Sequence, residues 1–124
     1  FTVMIIGGRL HLHNIVRSND MILGFPHDVA GFALLQCMLA QHLGVKPGIY
    51  THTISNAHIY ENHYEGAKEL MKRDANHKKV TLTLPENAFT RAEKKDITLA
   101  EEIVKNLMDQ YTPGEAIPNL AIVP

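Results

Sequence analysis

A chain of 124 residues with 45% hydrophobic and 20% charged side chains has the length of one domain and enough apolar surface for a buried core, which excludes native disorder. Twelve Lys and Arg against thirteen Asp and Glu leave a formal net charge of -1, so there is no basic field for bulk nucleic-acid binding. The single Cys37 cannot close an internal disulfide, and no apolar run approaches the roughly 20 residues of a membrane-spanning helix, so a reducing, soluble, cytoplasmic setting is expected.

Phe1 opens directly into strand-like sequence, with no initiator Met and no cleavable signal, so the chain reads as a piece of a longer protein. Residues Phe1 to Ile6 and Arg9 to Val16 predict a hairpin turned by Gly7-Gly8, with Leu10, Leu12 and Val16 on one face and Arg9, His11 and His13 on the other. From Asp28 to Leu43 apolar residues cover most of a helical circumference, which predicts a central, largely buried helix. Asp28 stands where an N-cap would and Gly44 where a C′ residue would. So much apolar surface exceeds what one thin domain covers, so the hairpin and this helix are expected to form an intersubunit surface. A strand at about Ile49 to Ser55 follows the Pro47-Gly48 turn.

His58 to Asp74 reads as a half-exposed helix or a turn plus helix, and Val80 to Leu84 as a short strand ended by Pro85. Glu86 to Asp96 reads as loop. Thr98 and Glu101 form a capping-box pattern before a last helix through Met108, and an irregular tail follows.

Eight histidines raise the question of a metal. His11 and His13 would point the same way on a strand, but no Cys or carboxylate stands at ligand spacing beside them. His58 and His63 are five apart, which misses the helical zinc step, so no metal is expected. Cys37 lies in an apolar helix and reads as a small buried hydrophobe. Arg17-Ser18-Asn19-Asp20 at a strand end permits two readings. A guanidinium fork and a hydroxyl suit a phosphate monoester, while Asp20 equally suits a polar turn.

Arg17 to Asp20, the run Leu23-Gly24-Phe25-Pro26-His27-Asp28-Val29-Ala30, Phe32 to Leu35, and Ala57 to His63 occur in an order and spacing that resemble the C-terminal half of the thymidylate synthase family. That family is taken here with its relatives, the cytidylate and deoxycytidylate hydroxymethylases. Tyr111-Thr112-Pro113, Ala116-Ile117-Pro118 and Leu120-Ala121-Ile122 are more loosely similar to its closing tail. The resemblance implies an α/β (α+β) fold with a mixed sheet, residues 1–124 forming the C-terminal portion of a single domain. It implies one-carbon transfer from 5,10-methylenetetrahydrofolate to C5 of a pyrimidine nucleoside 5′-monophosphate in a homodimer. Residue by residue, Arg17 and Ser18 would bind the 5′-phosphate, and Asp20 would lie in the catalytic centre by the folate pterin. Gly24 would lie beside the base, and His58 and Tyr60 would bind the ribose 3′-hydroxyl. The family's nucleophilic Cys would fall a few residues before Phe1, so Cys37 is not its counterpart and this piece alone is expected to be inactive.

One position departs from the thymidylate synthase pattern. Asp28 stands where those proteins carry Asn, whose amide pairs with both N3–H and O4 of uracil. Cytosine presents an amine at C4 and an acceptor at N3, which a carboxylate suits better. Together with Asn19 this resembles the hydroxymethylase branch and favours CMP or dCMP over dUMP. An N-cap at Asp28, worth about 1 kcal/mol, is the reading that needs no substrate.

Overall fold

The computed structural model describes residues 1–74, 79–118 and 120–122. Strands β1 (Thr2–Ile6) and β2 (Arg9–Asp20) form the hairpin, and β3 (Lys46–His58) joins β2 on its other side, giving the order β1-β2-β3. The first pair is antiparallel, with Thr2 opposite His13 and Ile6 opposite Arg9. Gly7 and Gly8 both take positive φ, 57° and 71°, as the tight turn requires. The second pair is parallel, with Leu12 opposite Tyr50 and Asp20 opposite His58. Parallel neighbours need a crossover, which helix α1 (Gly24–His42) supplies. A single 3₁₀ turn (Glu61–His63) then leads into α2 (Tyr64–Lys72), followed by α3 (Ala88–Glu93) and α4 (Ile97–Met108).

Helix α1 separates two apolar clusters. On the sheet side Leu10, Leu12 and Ala40 pack with Phe32, Leu39, Val45 and Tyr50. On the other side Met38, Ala88, Leu99 and Ile103 pack with Leu34, Leu82, Leu84, Phe89 and Leu107. Apolar residues of α1 are thus packed on two sides within the chain, although most of the helix is only partly buried. Exposed apolar side chains include Val3, Met4, Ile5, Ile6, Ile15 and Ile49 of the sheet, and Leu70, Met71, Ile97, Val104 and Met108 of the helices.

A buried polar side chain fastens α1 to the sheet. Gln36, 3% exposed, donates from Nε2 to the carbonyls of Leu10 at 2.8 Å and Ile49 at 3.2 Å. Those carbonyls flank a register shift between Leu10 and Leu12, where Pro47 has no N–H to give the ladder. Across the same irregularity the Ile49 N–H donates to His11 Nδ1 at 3.2 Å, so His11 has a structural partner.

Several boundaries differ from the sequence reading. Helix α1 begins at Gly24, with Leu23 at the N-cap and no side-chain cap bond, so Asp28 lies inside the helix. Pro26 is tolerated because the first-turn N–H groups have no intrahelical partner. Strand β3 runs past Ser55 to His58, which takes His58 out of the helix expected there. Val80 to Leu84 has the alternation of a strand but no strand beside it. Side-chain amides in α4 and just beyond it take that place: Thr81 N–H donates to Gln110 Oε1 at 3.1 Å and Thr83 N–H to Asn106 Oδ1 at 2.9 Å. Helix α3 forms where a loop was expected because Gln41 of α1 receives the Ala88 N–H at 3.1 Å while fully buried Ala88 fills the core. The α4 cap is Asp96, which accepts from the Thr98 N–H at 3.0 Å, and not Thr98. Asp96 was available because Arg91 of α3 holds it at 2.7 Å while also gripping Glu102.

Gln36→Leu fills the same volume but strips two buried carbonyls of their donor. It is expected to lower stability by about 1–3 kcal/mol, read as an earlier urea midpoint with an unchanged slope.

Candidate functional site

Strands β2 and β3 end at the same level, and α1 leaves from that point, opening a crevice outside the carboxyl ends of a parallel pair. Open α/β sheets place ligands in such crevices. Asp20 and His58 are register partners, and the Met21 N–H donates to the His58 carbonyl at 2.9 Å, closing the strand ends together. Ser18 Oγ lies 3.4 Å from His58 Nδ1. The His58 ring meets Tyr60 edge to face at 5.1 Å, and Tyr60 meets His63 in the same way at 6.0 Å. Ser18, Asp20, His58 and Tyr60, far apart in sequence, are thus one cluster.

Asp20 shapes the turn into α1. Its Oδ1 accepts the Ile22 N–H at 3.0 Å and its Oδ2 the Leu23 N–H at 3.2 Å. Burial, the largest single influence, pushes its carboxyl up, but these N–H groups, that of Gly24 and the nearby His63 together hold it below the usual value. The polar-turn reading of Asp20 is therefore realised, and it leaves the carboxylate facing the cleft. Gly24 follows one turn later. A Cβ there would meet Asp20 Cβ at 3.6 Å and Asn19 Oδ1 at 3.8 Å, ordinary contact, so the fold itself does not demand glycine. Arg17 is exposed and makes no ion pair among the described residues, leaving its guanidinium available beside Ser18.

A cleft of about 480 Å³ opens along Asp20, Leu23, Gly24, His27 and Tyr60, with Leu120 and Ile122 of the tail as its far wall. The tail is held by His63, which is fully buried and donates from Nε2 to the Ala121 carbonyl at 2.8 Å. Gly66 leaves the space the tail needs, since a Cβ there would lie 2.7 Å from Leu120 Cδ2.

Asp28 lies on α1 one turn beyond Gly24, beside the end of β2. Asn19, 3% exposed, donates from Nδ2 to Asp28 Oδ2. The adjoining wall is unexpectedly polar: the Tyr50 hydroxyl lies 2.6 Å from His52 Nδ1, and Asn14 is 4% exposed. Asn14, Tyr50, His52 and His63 were not singled out from the sequence as functional. The available signal was Asn14, a polar residue at an inward position between Leu12 and Val16. Of the remaining histidines, His13 pairs with Thr53 Oγ1 at 2.8 Å, and no group of three or more His, Cys, Asp or Glu is placed to hold a metal ion among the described residues.

A mixed sheet with a parallel pair bridged by a long helix, and hydroxyl, imidazole and carboxylate groups gathered at the strand ends, defines an α/β domain with a polar crevice at the carboxyl ends of its parallel strands. Residues 1–117 match the model of the thymidylate synthase family, and the chain belongs to that family. The solved structure of thermostable thymidylate synthase A from Bacillus subtilis is similar with a TM-score of 0.63 and 35% identity, over 66% of this chain. The match covers 29% of that chain, so the present domain spans less than a third of its length.

The depressed Asp20 carboxyl fixes a sign for stability against pH. Its contribution is present above the unfolded value of about 3.9 and is lost as pH falls through the lower folded value. Asp20→Asn should be less stable than the parent at neutral pH, and the gap in urea midpoints should close as pH drops below about 4.

Proposed function

We propose that the protein carrying this domain transfers a one-carbon unit to C5 of a pyrimidine nucleoside 5′-monophosphate, with CMP or dCMP preferred and hydroxymethylation as the outcome. Family membership supports the reaction class, and Asp28 supports the base. Asp28 lies inside α1 and is not its N-cap; its one structural partner is the Asn19 amide. One carboxylate oxygen is held by the Asn19 amide, which leaves the other to accept from a 4-amino group. Against uracil that oxygen would meet O4, acceptor against acceptor.

The remaining roles follow the cluster. Arg17 and Ser18 take the 5′-phosphate, Arg17 as a free fork and Ser18 as a hydroxyl donor. His58 and Tyr60 take the ribose 3′-hydroxyl, and the proximity of Ser18 to His58 joins the two subsites. Gly24 leaves room for the edge of the base. The cleft beside Asp20 fits the flat ring of 5,10-methylenetetrahydrofolate, since Leu23, Leu120 and Ile122 offer apolar walls and Asp20 a carboxylate for ring N–H groups. That co-substrate supplies the one-carbon unit. Cys37 does not supply the nucleophile: it is half-buried in α1, and burial pushes its thiol up, away from the thiolate. The thiolate that adds to C6 is assigned to a part of the protein outside these residues. A second copy is assigned to the exposed sheet face away from α1, which carries Met4, Ile6, Ile15 and Ile49.

A second reading, thymidylate synthesis on dUMP, is favoured by the 35% identity to a thymidylate synthase. Competition of dCMP and CMP against dUMP, followed by tritium release from C5 in the complete protein, separates the two. The parent should prefer the cytosine nucleotides, and Asp28→Asn should shift the kcat/KM ratio toward dUMP by about 10²- to 10⁴-fold. A parental preference for dUMP establishes the second reading, and no tritium release from any nucleotide rejects both. For the interface, Met4→Glu should convert a dimer to a monomer in sedimentation at micromolar concentration, and a parent that is already monomeric rejects that assignment.

A further inference from the structure

The wall behind Asp28 carries polar groups where the strand pattern calls for apolar ones. On the face of the sheet under α1, Leu10 and Leu12 are buried against Ala40, and the next inward position is Asn14. Its register partner on β3 is His52, and the partner of Leu12 is Tyr50. Asn14, Tyr50 and His52 therefore form one patch on two neighbouring strands, under the N-terminal part of α1, where Phe25 meets the His52 ring edge to face at 5.5 Å. Asp28 lies one turn beyond Phe25 on the same helix; burial above all pushes the Tyr50 phenol up, the Asn14 side chain opposes this and the Asp28 charge adds to it. Asn19 completes the group from the end of β2.

This patch is not closed on itself. Buried polar atoms in folded proteins are almost always paired, and leaving one unpaired costs about 1–3 kcal/mol. Here Asn14 Nδ2, His52 Nε2 and Asn19 Oδ1 have no hydrogen-bond partner among the described residues. If the Tyr50 hydroxyl is the donor to His52 Nδ1, the ring N–H lies on Nε2, and Asn14 and His52 then both present N–H donors from adjacent strands. Water in a polar recess typically answers two to four such groups. Apolar side chains would fill the same wall without any of these demands.

We propose that Tyr50 and His52, with Asn14 beside them, are positioning residues that set the pyrimidine selectivity of Asp28 through a buried hydrogen-bonded network completed by ordered water. The inference rests on Asp28 being the residue that reads the base. Discrimination by Asp28 requires a carboxylate that only accepts. The groups facing it are Asn19 from β2 and, from β3, Tyr50 with His52 behind it. These dipoles and their water keep a polar surface against the charge. An apolar wall there would favour the neutral acid, and a neutral acid can donate to uracil O4, removing the mismatch that excludes uracil.

The test measures the ratio of kcat/KM for dCMP over dUMP in the complete protein. Tyr50→Phe, which removes only the hydroxyl, and His52→Leu should each lower the ratio about tenfold or more, chiefly by gain of dUMP activity. His52→Asn, which returns an acceptor for the Tyr50 hydroxyl, should restore most of it, a rescue that a purely structural role does not give. Asp28→Asn is measured alongside. If it shifts the ratio while Tyr50→Phe and His52→Leu do not, the inference is overturned and the reading of Asp28 stands. If Asp28→Asn leaves the ratio unmoved, the reading of Asp28 falls and the inference with it. Should the wall variants not fold, nitrogen-15 NMR of histidine in the parent decides. His52 should show a protonated Nε2 and an accepting Nδ1, and its signals should move on adding dCMP more than on adding dUMP. Equal response to the two nucleotides overturns the proposal.

Discussion

The parallel pairing of β2 with β3 is the constraint on which the rest of this domain depends. Two parallel neighbours cannot be joined by a turn, so the chain must travel the length of the sheet before β3 begins, and α1 is that return path. Once α1 lies over the sheet its far side is open, and α3, α4 and the extended segment around Leu82 and Leu84 close over it. The register shift at Leu10 and Leu12 does not weaken the arrangement, because Gln36 takes the carbonyls on both strands. The core is thus layered as sheet, helix and helical cover, with one buried amide tying the first two layers.

The same pairing makes the site. A parallel pair brings two carboxyl ends to one edge, so Ser18 and Asp20 of one strand stand beside His58 of the other across a separation of 40 residues for Ser18 and His58. The helix that must begin there adds Gly24 and Asp28. The crevice is not an addition to the fold but its open end, where backbone N–H groups of the turn hold Asp20 and a strand-end amide holds Asp28. The tail joins through His63, whose complete burial and single accepting partner fix both its tautomer and the position of Ala121.

Asp28 illustrates how a local rule and a tertiary contact compete. Asp before an apolar periodic run is a good N-cap, and the rule places the helix start there. Asp20 wins instead, because its two oxygens capture Ile22 and Leu23 and turn the chain into a helix that begins at Gly24. Asp28 is thereby left as a helical carboxylate whose partner, Asn19, comes from the preceding strand. A similar displacement occurs at α4, where Asp96 takes the cap that Thr98 was expected to fill because Arg91 holds it in place.

The hairpin was legible in the sequence, since Gly7-Gly8 and the alternation of Leu10 and Leu12 are local properties of the chain. So was the central helix, from its apolar circumference, while Arg17, Ser18, Asp20, Gly24, Asp28, His58 and Tyr60 were singled out by resemblance, and the fold gathers Ser18, Asp20, His58 and Tyr60 at one strand edge. What the sequence could not contain was the partner of each strand. Alternation reports that one face is buried, not what lies beside the edge, so Val80 to Leu84 read as a strand although its backbone bonds go to Asn106 of α4 and Gln110 just beyond it. The polar wall of Asn14, Tyr50 and His52 was invisible for the same reason. Its members are 38 residues apart between Asn14 and His52, and only the parallel register of β2 and β3 sets them side by side. Periodicity is a property of one segment, whereas a site is a property of segments that meet, and the meeting was decided by how α1 returned the chain to the sheet.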